Sequence, residues 1–147
     1  VDGSPVHPTT AHFESGIELK GYTVSPFDEG VNLTLYWTTS APVDRRYKMF
    51  VHLLGPAVNP STGNPVWAQE DREPNLGGAP VTSWKVGETI VDFIPLKLPM
   101  NAPAGEYTAE VGWYDFFNGD RLLVLNDSGE VIDSRAVLGP FLIERAQ

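Results

Sequence analysis

Turn-forming residues recur so closely along this chain that a long helix has nowhere to sit. There are 14 glycines and 13 prolines among 147 residues. They gather with Asp, Asn and Ser at Asp28-Glu29-Gly30, Ser61-Thr62-Gly63-Asn64-Pro65, Gly77-Gly78, Ala102-Pro103-Ala104-Gly105, Asn118-Gly119 and Ser128-Gly129. Glycine admits positive φ, while proline fixes φ and removes a donor, so such clusters end regular elements. Short segments between frequent turns predict an all-β chain. The architecture expected is a two-sheet antiparallel β-sandwich, Ig-like in topology, with a jelly roll as second choice.

Alternation within the segments agrees. Val31, Leu33, Leu35 and Trp37 fall on one face of a strand whose other face carries Asn32, Thr34, Tyr36 and Thr38. Tyr107, Ala109, Val111 and Trp113 repeat the pattern, so Trp37 and Trp113 are predicted core. Tyr47–Leu54 is apolar almost throughout, as in a central strand covered on both faces. Further strands are expected at Ile17–Val24, Pro65–Arg72, Glu88–Leu98, Asp120–Leu125, Val131–Val137 and Phe141–Glu144. Pro95 puts its strand at an edge or a bulge. Asn118-Gly119 signals a hairpin. The stretch from Arg72 to Lys85 reads as a long connection crossing between sheets.

The length suits a single domain. Residues 1–12, with two prolines and no periodicity, read as a lead-in arm, and 13–147 as the β-sandwich. The opening Val1-Asp2-Gly3-Ser4-Pro5 has neither Met nor an apolar run, as expected of an excised or processed segment. Ten Lys and Arg against 19 Asp and Glu give a net charge of −9. That balance argues against nucleic acid and against an anionic membrane surface, both of which demand cationic contacts. No apolar run approaches the ~18 residues of a membrane span, so no membrane insertion is expected of this segment. Cysteine is absent, which excludes thiol catalysis, Cys-ligated metals and disulfides. A content of 41% hydrophobic and 11% aromatic residues excludes a disordered chain.

Candidate chemistry is sparse. His7 and His12 lie in the arm, and His52 alone supplies one imidazole, too few for a transition-metal site. Calcium is the one cofactor left open, with Asp115, Asp120 and Asp127 as candidate oxygen ligands in turns, although no EF-hand spacing occurs. There is no Gly-x-Ser-x-Gly elbow and no phosphate-binding loop. Gln69 and Asp71 alternate onto the side of Trp67, and Asp92 onto the side of Ile90 and Ile94. Each is satisfied internally, by Arg72, His52 or backbone N–H groups, or lines a ligand pocket. Trp67 and Trp84 flank the long connection. Each is a sugar-stacking platform or a loop anchor. The candidate ligand-binding set is therefore Trp67, Trp84, Gln69, Asp71 and His52.

Several ordered segments resemble a known family. They are Leu33-Thr34-Leu35-Tyr36-Trp37, Phe50-Val51-His52-Leu53-Leu54, Ala68-Gln69-Glu70-Asp71, Pro80-Val81-Thr82-Ser83-Trp84-Lys85-Val86-Gly87-Glu88, Pro103-Ala104-Gly105-Glu106-Tyr107 and Val111-Gly112-Trp113-Tyr114-Asp115. Over about residues 13–145 the chain resembles the extracytoplasmic β-sandwich domains at the C-terminal end of bacterial multi-pass membrane glycosyltransferases of the protein-mannosyltransferase type, also found on other envelope proteins. The segment from Gly55 to Gly63 departs from that pattern by its length. The resemblance implies a sandwich in the cell envelope or secreted, attached to glycan-handling machinery, and carries over no catalytic residues. The function expected is a non-catalytic accessory or binding module whose partner is a glycan or a neighbouring protein domain. The alternatives are a purely structural spacer and, further off, a small glycan-active enzyme using a carboxylate pair.

Overall fold

A computed structural model describes residues 5–144 as ten strands joined by turns, short 3-10 segments and one long connection. They are β1 (His7–Phe13), β2 (Ile17–Phe27), β3 (Gly30–Thr39), β4 (Tyr47–Asn59), β5 (Asn64–Arg72), β6 (Ile90–Lys97), β7 (Gly105–Asp115), β8 (Val124–Leu125), β9 (Val131–Asp133) and β10 (Ala136–Ile143). All pairings are antiparallel. They form a six-stranded sheet, ordered β6-β3-β2-β1-β8-β9, and a four-stranded sheet, ordered β10-β7-β4-β5. The two sheets pack face to face as a β-sandwich, the predicted fold class.

The inner rows are those the alternation marks. Leu33, Leu35 and Trp37 from β3 meet Met49, Val51 and Leu53 from β4 and Tyr107, Val111 and Trp113 from β7, all buried. Aromatic rings form the spine of this core. Trp37 meets Trp113 edge-on at 4.8 Å, Trp84 meets Trp113 at 5.8 Å, and Phe13 leans on Trp37 at 5.8 Å. Edge-to-face pairs of this kind add on the order of 0.5–1.5 kcal/mol to the area they bury.

The Arg72–Lys85 segment does cross between sheets. It leaves β5, at the edge of the four-stranded sheet, and reaches β6, at the edge of the six-stranded one, through 3-10 turns at Pro74–Gly77 and Val81–Ser83. Pro95 lies in β6, which pairs only with β3, so its missing N–H costs no ladder bond on the open side. The Gly55–Gly63 departure is accommodated by extending β4 to Asn59. A turn through Gly63 then starts β5 at Asn64.

Other boundaries move. Residues 7–12, expected in the lead-in arm, belong to β1, which pairs with β2 around an irregularity between Pro8 and Ala11 and with β8 only at His12 and Phe13. Pairing with other strands is what makes this segment a strand, a tertiary effect that composition does not register. Residues 1–4 of the expected arm lie outside the described residues, as does the domain's tail at 145–147. Val131–Val137 splits into β9 and the start of β10, and β10 continues through Gly139-Pro140 to Ile143. The Asn118-Gly119 hairpin is short. Tyr114 bridges Arg121 and Leu122 N–H reaches Trp113 O, after which the chain leaves for β8 in the other sheet.

Candidate functional site

The outward face of the four-stranded sheet carries the most chemistry. Met49, Val51 and Leu53 point into the core, so strand alternation turns Phe50 and His52 outward. Across the ladder Phe50 lies opposite Gly112 of β7 and Asp71 of β5, and His52 lies opposite Gln69. Gly112 is what lets the Phe50 ring lie over β7: a Cβ there would stand 2.5 Å from Cζ of the ring. Arg121 covers that ring from the short hairpin, its guanidinium 4.3 Å from the centroid. Tyr114 stacks beside it at 6.4 Å and His52 at 5.3 Å. Phe50, although outside the sandwich interior, is only 2% exposed.

Around this floor lies a notch of about 210 Å³, lined by Phe50, His52, Asp71, Tyr114, Gly119 and Arg121. The Tyr114 hydroxyl donates to Asp71 Oδ2 at 3.0 Å. Burial, and then that hydrogen bond to a carboxylate, push the Tyr114 phenol up to about 12. Arg121 donates to Ser134 Oγ at 3.3 Å. It makes no ion pair with an acid among the described residues. A larger groove of about 600 Å³, where β1, β8, β9 and β10 meet, differs on this point. Its Arg135 is engaged by Glu110 at 2.6 Å and Asp133 at 2.7 Å, and its His12 by Glu18 at 2.8 Å.

Of the residues predicted from sequence, His52 and Asp71 meet in the notch and Gln69 stands exposed on the same face. Trp67 and Trp84 do not join them. Each is 6% exposed, with its indole N–H donated at 2.9 Å to a loop carbonyl, Ala57 O and Ala79 O respectively. Both are loop anchors within the core, which corrects their place in the ligand-binding set. The reason lies in β5. A register shift opposite Leu53 and Leu54 places Trp67 and Ala68 both against the core. It sends Gln69 and Asp71 outward and Arg72 inward, so Trp67 no longer shares their face.

Arg72, one of the partners that the sequence offers Asp92, finds it. Its Nη2 lies 2.6 Å from Asp92 Oδ1 and 2.8 Å from Phe93 O, and Asn75 N–H donates to the same Oδ1 at 3.0 Å. This pair ties the β5 and β6 edges together. It belongs to the frame, not to a pocket.

The calcium candidates do not assemble. Asp115 is buried and engaged by Arg45 Nε, and it also accepts the N–H groups of Phe117 at 2.8 Å and Asn118 at 3.1 Å. The hydrogen bond from Arg45 and those N–H groups hold its carboxyl below the ordinary range. Asp120 is exposed in the following turn and Asp127 belongs to another turn, at Asn126–Gly129. Among the described residues no three His, Asp or Glu converge on a point where a cation would sit.

Phe50, Tyr114 and Arg121 were missed as site residues. The Asn118-Gly119 hairpin signal was available to bring Arg121 back beside Tyr114. The pairing of Phe50 with Gly112 depends on strand order, which leaves no local mark.

No family model, curated protein or solved structure matches the chain.

Proposed function

We propose that this chain is a non-catalytic accessory module of a bacterial envelope or glycosyltransferase-associated protein, placed outside the cytoplasm, and that it recognises carbohydrate. One observation supports the reading above the others. His52, Gln69 and Asp71 stand on one outward sheet face, with Tyr114 and Arg121 beside them on a rigid aromatic floor. Polar groups held on strands and a short hairpin over a packed aromatic floor suit a ligand made of hydroxyl groups. The envelope setting rests on the sequence resemblance alone.

A structural spacer or protein-docking domain is the second reading, favoured by the burial of Trp67 and Trp84. A glycan array separates the two. Saturable binding by the folded chain supports a carbohydrate module, and a blank array leaves the spacer.

A further inference from the structure

We infer that the notch between Asp71 and Arg121 is the binding site itself, and that its ligand is an uncharged saccharide presenting a diol edge. The inference deepens the carbohydrate reading and rests on it.

Hydrogen-bonding capacity picks out this ligand class. Ionised aspartate only accepts and arginine only donates. A ligand that satisfies both must donate and accept at neighbouring atoms, as two adjacent hydroxyls do. Tyr114 spends its proton on Asp71 Oδ2, which fixes the carboxylate and leaves Oδ1 to receive a ligand hydroxyl. The guanidinium is held in place by Phe50 below it and Ser134 beside it, with no carboxylate among the described residues paired to it. His52 adds an imidazole at the same notch.

Charge selects against the other classes. Asp71 in the notch and a net charge of −9 over the chain repel an anionic ligand, and Arg121 repels a cationic one. Size narrows the choice further. At about 210 Å³ the notch is smaller than the roughly 300 Å³ at which pockets for drug-sized ligands begin. It takes one ring edge and leaves the rest of a glycan in solvent.

The test is a glycan array of neutral and acidic saccharides, probed with the folded chain and with Asp71→Asn, Arg121→Gln and Trp67→Phe. Circular dichroism confirms that each variant is folded. Asp71→Asn keeps an acceptor for Tyr114, and Arg121→Gln keeps cover over Phe50. The expected result is binding to neutral glycans that weakens by about tenfold or more in the first two variants, the scale of one charge-assisted hydrogen bond. Trp67→Phe is expected to bind as the unaltered chain does. Shifts of the Gly119 and Arg121 amide resonances on adding a bound neutral glycan would add support. Neutral binding that survives Asp71→Asn and Arg121→Gln overturns the site and leaves the carbohydrate reading standing. Binding restricted to acidic glycans overturns the ligand class. A blank array for the unaltered chain removes both.

Discussion

Asp71 and Arg72 are consecutive residues at the end of β5, yet one belongs to the outward notch and the other to the interior. Inside, Arg72 and Asp92 are 8% and 0% exposed, and their strong contacts are to protein: each other, Phe93 O and Asn75 N–H. Outside, Asp71 and Arg121 share a notch with solvent and contact mainly hydroxyls and a ring. The residue chemistry is the same, an aspartate and an arginine in both places. What differs is where the remaining hydrogen-bonding capacity lies. The buried pair joins two sheet edges, and its spare atoms, Arg72 Nε and Asp92 Oδ2, are sealed inside without a partner. The outward pair is exposed, so its spare capacity faces solvent.

The comparison breaks most readily at the inner pair. Removing one partner of a buried ion pair leaves an uncompensated charge, at a cost of about 3–5 kcal/mol. Asp92→Ala is therefore expected to destabilise by that amount in urea unfolding. Replacing both partners, as Arg72→Met with Asp92→Leu, is expected to recover most of the loss, because both desolvation penalties disappear together. A single-variant cost below about 1 kcal/mol, the range of an exposed pair, would erase the distinction between the two regions.

Gly112→Ala probes the outer region without altering any group that would touch a ligand. Its Cβ would stand 2.5 Å from the Phe50 ring, so the ring must move, and overpacking of this kind costs about 1–3 kcal/mol. Arg121 rides on that ring. The variant is thus expected to lower the unfolding midpoint and also to weaken glycan binding, read on the same array. Destabilisation with unaltered binding would show that the aromatic floor does not position Arg121.

Legibility from sequence followed the same division. The inner rows could be read because burial imposes a period of two: Trp37 and Trp113 stood in apolar alternation and are fully buried. Asp92 was legible as a charge that interrupts such a row, internally paired or lining a pocket, and Arg72 was already among its candidate partners. The outer face imposes no such pattern. His52 and Asp71 were found as polar residues in strands, but nothing local indicated that Phe50 would be covered by Arg121, 71 positions away. Trp67 and Trp84 were assigned partly to a ligand because an aromatic beside a loop serves either role. A single register shift in β5 decided Trp67. β1 was missed for a related reason, since its pairing partners, not its composition, make it a strand.

Two titrations carry smaller effects and sharpen the comparison further. Arg45 holds Asp115 below the ordinary carboxyl range, so the ionised acid stabilises the fold above the unfolded pKa, and that contribution fades as pH falls. Arg45→Ala is expected to flatten this part of the acid limb in pH-dependent unfolding, and an unchanged limb would remove Asp115 as its source.

Tyr114 has the opposite sign. Its phenol is pushed from 10.0 up to about 12, first by burial and then by Asp71. The folded chain therefore keeps a proton that the unfolded chain releases. Its stabilising contribution is complete below about pH 10 and is lost as pH rises through the window to about 12. Asp71→Asn removes the charge and leaves the burial, so the phenol is expected to fall only part of the way back towards 10.0. Ultraviolet phenolate absorbance, taken as the difference from Tyr114→Phe, reads that midpoint directly. A midpoint unmoved by Asp71→Asn would mean that the hydroxyl does not hold the carboxylate in solution. The outward aspartate would then be no more fixed than an ordinary surface acid, and the contrast with Asp92 would be one of burial alone.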